Sequence, residues 1–174
     1  MRLTAVVSVY PGLFLETSFM PFLGLDAGSP SPTWEIPAGS PKVAMTSLET
    51  LAADVLALAF SALAGVKLSD VRVCSVNGTL DQYADAFERV TGRQVKREYV
   101  EASSLKGAFD DARKANGGAP DFLLALRLLM AQGAFDHSDV VSSSMALAYA
   151  GGVRPRKPED FFREVAAAGS SAHL

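Results

Sequence analysis

Few residues in this chain are of a type that does chemistry, and their spacing limits what they can do. Cys74 is the single cysteine, which excludes an intrachain disulfide and a cysteine-only metal centre. It lies inside the apolar run 71–76, where a thiol reads as a small buried hydrophobe, and no histidine in a nearby motif activates it. The two histidines are His137 and His173. His137 stands in the polar turn Asp136-His137-Ser138-Asp139, a capped turn by this reading, because zinc needs more nitrogen or sulfur ligands than the chain supplies. No metal site is expected. Glu16 is the candidate general acid: it stands among Phe14, Phe19 and Phe22, with Trp34 in the loop beyond, and a carboxyl buried among such rings keeps its proton to higher pH. The competing reading is a carboxylate that caps a strand–helix junction. Phe19, Phe22 and Trp34 read as the lining of a pocket for a small, largely apolar metabolite, and for Trp34 a place at the core edge is the alternative.

A dinucleotide site of the Rossmann kind needs glycines after its first strand, so that the backbone approaches the pyrophosphate at a helix N-terminus. Neither G-x-G-x-x-G nor G-x-x-G-x-x-G occurs. Gly24 and Gly28 are followed by prolines rather than a helix, and Gly151-Gly152 leads into Arg154-Pro155. The residues themselves offer no cofactor grip.

The elements that must position these groups follow an α/β pattern. Residues 77–100 are the most regular stretch. Thr79 and Gln82 have capping-box spacing, and Leu80, Tyr83, Ala84, Phe87 and Val90 form one apolar stripe behind them. Gly92 closes that helix, after which Val95, Arg97 and Tyr99 alternate with polar neighbours as in a half-buried strand. Residues 3–9 are a near-continuous apolar run, the signature of a strand covered on both faces, and Pro11-Gly12 ends it. Short strands are expected at 33–36 and 42–45, a helix at 48–63 capped by Thr46 or Ser47, and one strand at 71–76. The 48–63 helix is apolar almost all round, so it is expected to be largely buried. Ser103 or Ser104 is expected to cap the next helix, and Pro120 to open the one after it. Residues 140–149 are left as helical or irregular.

Size and charge bound the function. A chain of 174 residues with 49% hydrophobic and 20% charged residues is one folded domain, and a net charge of −3 with no basic face argues against nucleic acid as a partner. The longest apolar segment, 51–66, is interrupted by Asp54 and too short to span a bilayer. The expectation is a cytoplasmic protein without membrane association.

Two motifs carry a family resemblance. A helix opened by Thr79, ending Val90-Thr91-Gly92-Arg93-Gln94-Val95 and followed by a strand ending Tyr99-Val100, resembles the C-terminal half of NmrA-like and isoflavone-reductase-like proteins, atypical relatives of the short-chain dehydrogenases. Residues 4–17 are similar to the family's T-(I/V)-(V/I)-R-P-G-x-F-x-E-N, with Tyr10 in place of Arg and Thr17 in place of Asn. Thr50 stands where the family usually has Asp at a helix start, and residues 151–165 resemble its closing segment. The resemblance implies a partial Rossmann-like parallel sheet, its last strands only, with a helical substrate-covering subdomain. It makes 1–168 one domain lacking the dinucleotide-binding half, with a disordered tail at 169–174. It implies an NAD(P)-dependent oxidoreductase or isomerase homologue acting on a small apolar metabolite, with NADP or NAD as cofactor or none held by this chain. Pro11, Gly12 and Phe14 are then a wall near the nicotinamide. The family's glycine turn and its catalytic Lys or Tyr region have no counterpart, so a cofactor-sensing regulator or scaffold and a cofactor-free pocket protein are the alternatives. An exposed sheet edge left by missing strands would favour a homo-oligomer or a protein partner.

Overall fold

The capping box forms as its spacing requires. Thr79 Oγ1 accepts from the Gln82 amide at 3.2 Å while the Gln82 side chain accepts from the Thr79 amide at 2.9 Å, and Gly92 adopts φ 69° at the far end of the helix. The computed structural model describes residues 7–19, 23–67, 69–138 and 154–171. Its strands and helices run β1 (Ser8–Tyr10), β2 (Leu13–Phe14), α1 (Leu15–Ser18), β3 (Thr33–Pro37), β4 (Lys42–Thr46), α2 (Leu48–Leu63), β5 (Asp70–Arg72), β6 (Val76–Thr79), α3 (Leu80–Thr91), β7 (Lys96–Val100), α4 (Ala102–Ala115), α5 (Phe122–Ala131) and α6 (Pro158–Ser171). The α/β class and the parallel pairing are as expected. β1 pairs with β5, β2 with β4 and β3 with β7, all parallel, while β4 and β6 are antiparallel.

Packing centres on the inner face of α3. Leu80, Tyr83, Ala84 and Phe87 are buried there as their spacing predicts. Phe162, carried by α6, sits 4.7 Å from Phe19, 5.3 Å from Phe87 and 6.3 Å from Trp34, measured between ring centroids. Tyr83 joins the sheet to this cluster: its hydroxyl donates to the Val43 carbonyl at 2.7 Å and accepts from the Gly78 amide at 3.0 Å. Burial raises its pKa, so the phenol stays a donor. Arg93 lies over the Phe87 ring and donates to the carbonyls of Ala27 and Ser29, which ties down the proline-rich loop before β3. α4 packs on α5, and α6 on α3.

The structure corrects several expectations. The single strand at 71–76 is two strands in different sheets, β5 against β1 and β6 against β4. Residues 73–75 make the switch, with the Val73 amide donating to the Tyr10 carbonyl and the Ser75 amide to the Met45 carbonyl, while Thr46 Oγ1 lies 3.2 Å from the Val73 carbonyl oxygen. Tyr99 does not face the core: it is 61% exposed, and its hydroxyl donates to Asp81. Arg97 bonds Asp81, Asp85 and Glu88, so this side of β7 meets the acidic flank of α3. α4 starts at Ala102 with Glu101 as N-cap, not at Ser103 or Ser104, and Asp121 rather than Pro120 sets the start of α5 by accepting from the Leu123 and Leu124 amides. α6 runs through Ser171. Residues 140–149 lie outside the described residues.

The largest departure is α2, which was expected to be buried and is inverted instead. Ser47 caps it as expected, but its buried residues are Thr50, Asp54 and Leu58, while Leu56, Phe60 and Leu63 are 60%, 69% and 82% exposed. Composition alone cannot distinguish the faces of a helix that is apolar nearly all round; the inward arc is set here by the polar groups that meet the β4–α2 turn. Thr50 bonds Ser47 Oγ and accepts from the Arg156 amide. Among the described residues, neither carboxylate oxygen of Asp54 has a hydrogen-bond partner.

Two outcomes follow. Phe87→Ala is expected to destabilise the protein by about 3–5 kcal/mol, read from urea unfolding, because a ring packed against Trp34, Phe162 and the Arg93 guanidinium leaves a cavity. Burial raises the Asp54 carboxyl from 3.8 to about 6. The folded state therefore keeps a proton that the unfolded chain has released. Stability from this group is complete below the unfolded value and is lost as pH rises through the folded one. Asp54→Asn is thus expected to be more stable than the parent by on the order of 2 kcal/mol at neutral pH and nearly equal to it in acid, as measured by unfolding across pH.

Candidate functional site

A cavity of about 670 Å3 opens where β1 and β5 end. Tyr10, Pro11 and Gly12 form one wall, Asp70, Val71 and Arg72 a second, and Ala134, Phe135 and His137 from the segment after α5 the third. Parallel pairing puts the carboxyl ends of two strands side by side, and in open α/β sheets ligands bind outside such ends. The register sets Tyr10 against Arg72 and Ser8 against Asp70, so Tyr10, Asp70 and Arg72 share one face. Tyr10 donates its phenol proton to Asp70 at 3.2 Å. The volume lies within the range of small-molecule pockets.

The third wall is held by polar contacts. The Ala44 amide donates to the Phe135 carbonyl at 2.8 Å, fixing the segment to β4. Asn77 Nδ2 donates to Asp136 at 2.9 Å and to Ser138 Oγ at 3.1 Å, the Ser138 amide donates to Asp136 at 2.8 Å, and Lys42 Nζ reaches Ser138 Oγ at 3.0 Å. These bonds from Asn77 and Ser138 hold the Asp136 carboxyl below its usual range. The turn is capped as its sequence suggested, with a consequence the sequence did not reveal: His137, only 6% exposed, is brought to the cavity wall.

Gly12 is required by the backbone. Its φ is 70°, and a Cβ there would lie 2.4 Å from the Ala44 carbonyl oxygen. Thr46 Oγ1 donates to the Pro11 carbonyl at 2.5 Å, so the Pro11-Gly12 turn is clamped onto β4 from both sides.

The expected site residues divide. Pro11 and Gly12 line the cavity; Phe14 lies in β2, half-buried and outside that lining. Phe19 and Trp34 belong to the aromatic core, 3% and 0% exposed, rather than to a pocket wall. A run of large apolar groups gives the same signal for a core as for a binding site, and here the core takes them. Phe22 lies outside the described residues. Glu16 accepts from the Leu48 amide at 3.1 Å and pairs with Arg156 at 3.5 Å, which is the junction-capping reading, and it is not among the cavity's lining residues. Cys74 is half-buried, and burial together with the Asp54 charge raises its thiol, so it stays protonated.

Sequence reasoning missed Tyr10, Asp70, Arg72 and Phe135. For Tyr10 the usable signal was position, since it follows the apolar run 3–9, whereas Arg72 sits inside the run 71–76 and its place at a strand end was not readable. Replacing Gly12 with Ala is expected to lower the urea-unfolding midpoint, costing more than about 1 kcal/mol, because it forces a side chain into left-handed backbone against a carbonyl.

No protein-family model matches the chain, and no curated protein matches it significantly by sequence. Solved structures do match. NmrA, a negative transcriptional regulator, aligns with a TM-score of 0.60 at 17% identity over 96% of this chain and 54% of its own. An NADPH-dependent quinone oxidoreductase from Escherichia coli aligns with a TM-score of 0.59 at 20% identity over 88% and 52%. A nucleoside-diphosphate-sugar epimerase from Staphylococcus aureus gives 0.58 at 17% over 89% and 50%. The chain thus spans about half the length of the solved chains it matches. Parallel strand pairs, a capped α3 feeding β7 and these alignments together show the Rossmann-like α/β fold of NmrA-type proteins, as the two sequence motifs implied.

Proposed function

We propose that the cavity between Tyr10–Gly12, Asp70–Arg72 and Ala134–His137 receives a small, largely apolar metabolite, in an oxidoreductase or isomerase homologue of the NmrA type that works with NAD(P). One observation carries this reading: Pro11 and Gly12, which the family resemblance sets beside a nicotinamide, line the largest described cavity, at the carboxyl ends of two parallel strands. Pro11, Val71, Ala134 and Phe135 supply apolar surface. Asp70 and Arg72 supply charges of opposite sign, Tyr10 a phenol and His137 an imidazole, enough to orient one polar end of a ligand.

The fit to a dinucleotide is partial. The residues suit its nicotinamide end or a substrate. Among the described residues no glycine-rich turn joins a strand to a helix, and the α2 N-terminus, where an anion would be favoured, is met by the carboxylate of Glu16. No catalytic step is assigned through a cofactor. What these side chains do is hold: Thr46 and Ala44 fix the floor, Asn77 fixes the wall bearing His137, and Tyr10 steadies Asp70 beside Arg72.

The same partial fit supports a second reading, a cofactor-free pocket protein that binds a small molecule. Titration of the chain with NADPH, followed by nucleotide fluorescence, separates the two. Saturable binding that weakens by about tenfold in Arg72→Ala supports the oxidoreductase-type site, the loss matching one charge-assisted contact. A folded chain that shows no NADPH binding but takes up an apolar dye displaced by small aromatic acids supports a cofactor-free pocket.

A further inference from the structure

The charged groups around the cavity differ in how far the protein itself already engages them. Both carboxylates there accept hydrogen bonds from neighbouring side chains. Asp70 takes the phenol proton of Tyr10 at 3.2 Å, and Asp136 takes the Asn77 side-chain amide at 2.9 Å and the Ser138 backbone amide at 2.8 Å. Lys42, whose Nζ lies 3.0 Å from Ser138 Oγ, adds a positive charge that helps hold the Asp136 carboxyl below its usual range. The donors are less committed. Arg72 ends β5 on the face it shares with Tyr10 and Asp70, is exposed, and lines the cavity. A guanidinium carries five N–H donors in a planar fork, more than one neighbouring group takes up. Beside it lies the apolar surface of Pro11, Val71, Ala134 and Phe135, and the Ala44 amide fixes the backbone of Phe135 in place.

We propose, building on the reading of this cavity as a ligand site, that its ligand is a small carboxylic acid with an apolar, ring-sized body, and that Arg72 selects it through a two-point grip on the carboxylate. A carboxylate presents acceptors and no donor, so it pairs with the fork of Arg72 and asks nothing of Asp70 or Asp136. An ammonium group is donor only. It would have to compete with Tyr10 for Asp70, or with Asn77 and Ser138 for Asp136, and at Asp70 it would also meet the like charge of Arg72 on the same strand face. An uncharged alcohol makes one neutral contact where the carboxylate makes two charge-assisted ones. The cavity, at about 670 Å3, has room for a ring against Pro11 and Phe135 while the charged end reaches the strand ends.

Three probes of similar shape test this: benzoate, benzyl alcohol and benzylamine, each titrated into the full chain at fixed pH and ionic strength while backbone amide shifts are recorded. Benzoate is expected to give saturable shifts at Tyr10, Gly12, Arg72 and Phe135, with an affinity at least about tenfold above that of either other probe. Arg72→Gln, with circular dichroism confirming the fold, is expected to abolish the preference, bringing benzoate down by about tenfold to the level of benzyl alcohol. Arg72→Lys recovers part of it, because a point charge without the planar fork keeps the attraction and loses the two-point geometry. Benzylamine or benzyl alcohol binding at these residues as tightly as benzoate, or a benzoate preference that survives Arg72→Gln, overturns the proposal and leaves the cavity standing as a ligand site. Silence of these residues toward all three probes overturns both.

Discussion

The ring of Phe162 is the constraint on which most of this structure depends. It comes from the C-terminal helix and closes a cluster to which α1's flank contributes Phe19, β3 contributes Trp34 and α3 contributes Phe87. Buried aromatic side chains supply much of the apolar area that a domain of this size can remove from water, and their tilted and edge-on contacts fix relative orientation as well as proximity. Elements far apart in sequence are thereby locked together. The hydroxyl of Tyr83, bonded to two strands at once, transmits that order into the sheet.

These rings are packed against one another in the core. The cavity is built instead from strand ends and a turn, with polar groups drawn from three separate places. Its floor depends on β4: Ala44 leaves no room for a side chain at position 12, and Thr46 holds the carbonyl of Pro11. β4 also begins the turn into α2, whose polar inward side shares Thr50 with the segment before α6. α2 in turn carries Leu56, Phe60 and Leu63 outward and Thr50, Asp54 and Leu58 inward.

What was legible in the sequence was local. Thr79, Gln82 and Gly92 announce α3 because caps act within a few residues, and the period of Leu80, Tyr83 and Phe87 names the buried side without reference to anything distant. Long-range choices were not legible. Val71 to Val76 reads as one strand, since nothing in an apolar run says where it changes sheets. The direction in which α2 faces depends on Asp54 and Thr50 outweighing a majority of apolar residues, and Tyr99 turns outward because acidic groups on α3 draw Arg97 and its neighbour. The family motif found the fold and two lining residues, Pro11 and Gly12, whereas Arg72 and His137 reach the site only through tertiary folding.

The central claim is that ligands enter at the joint end of β1 and β5. Backbone amide chemical shifts recorded during addition of NADPH test it most directly. The account predicts graded, saturable shifts concentrated at Tyr10, Gly12, Val71, Arg72 and Phe135, with the indole of Trp34 unmoved in its core. Shifts confined to α2 or α4, or a perturbed indole with silent strand ends, would contradict it.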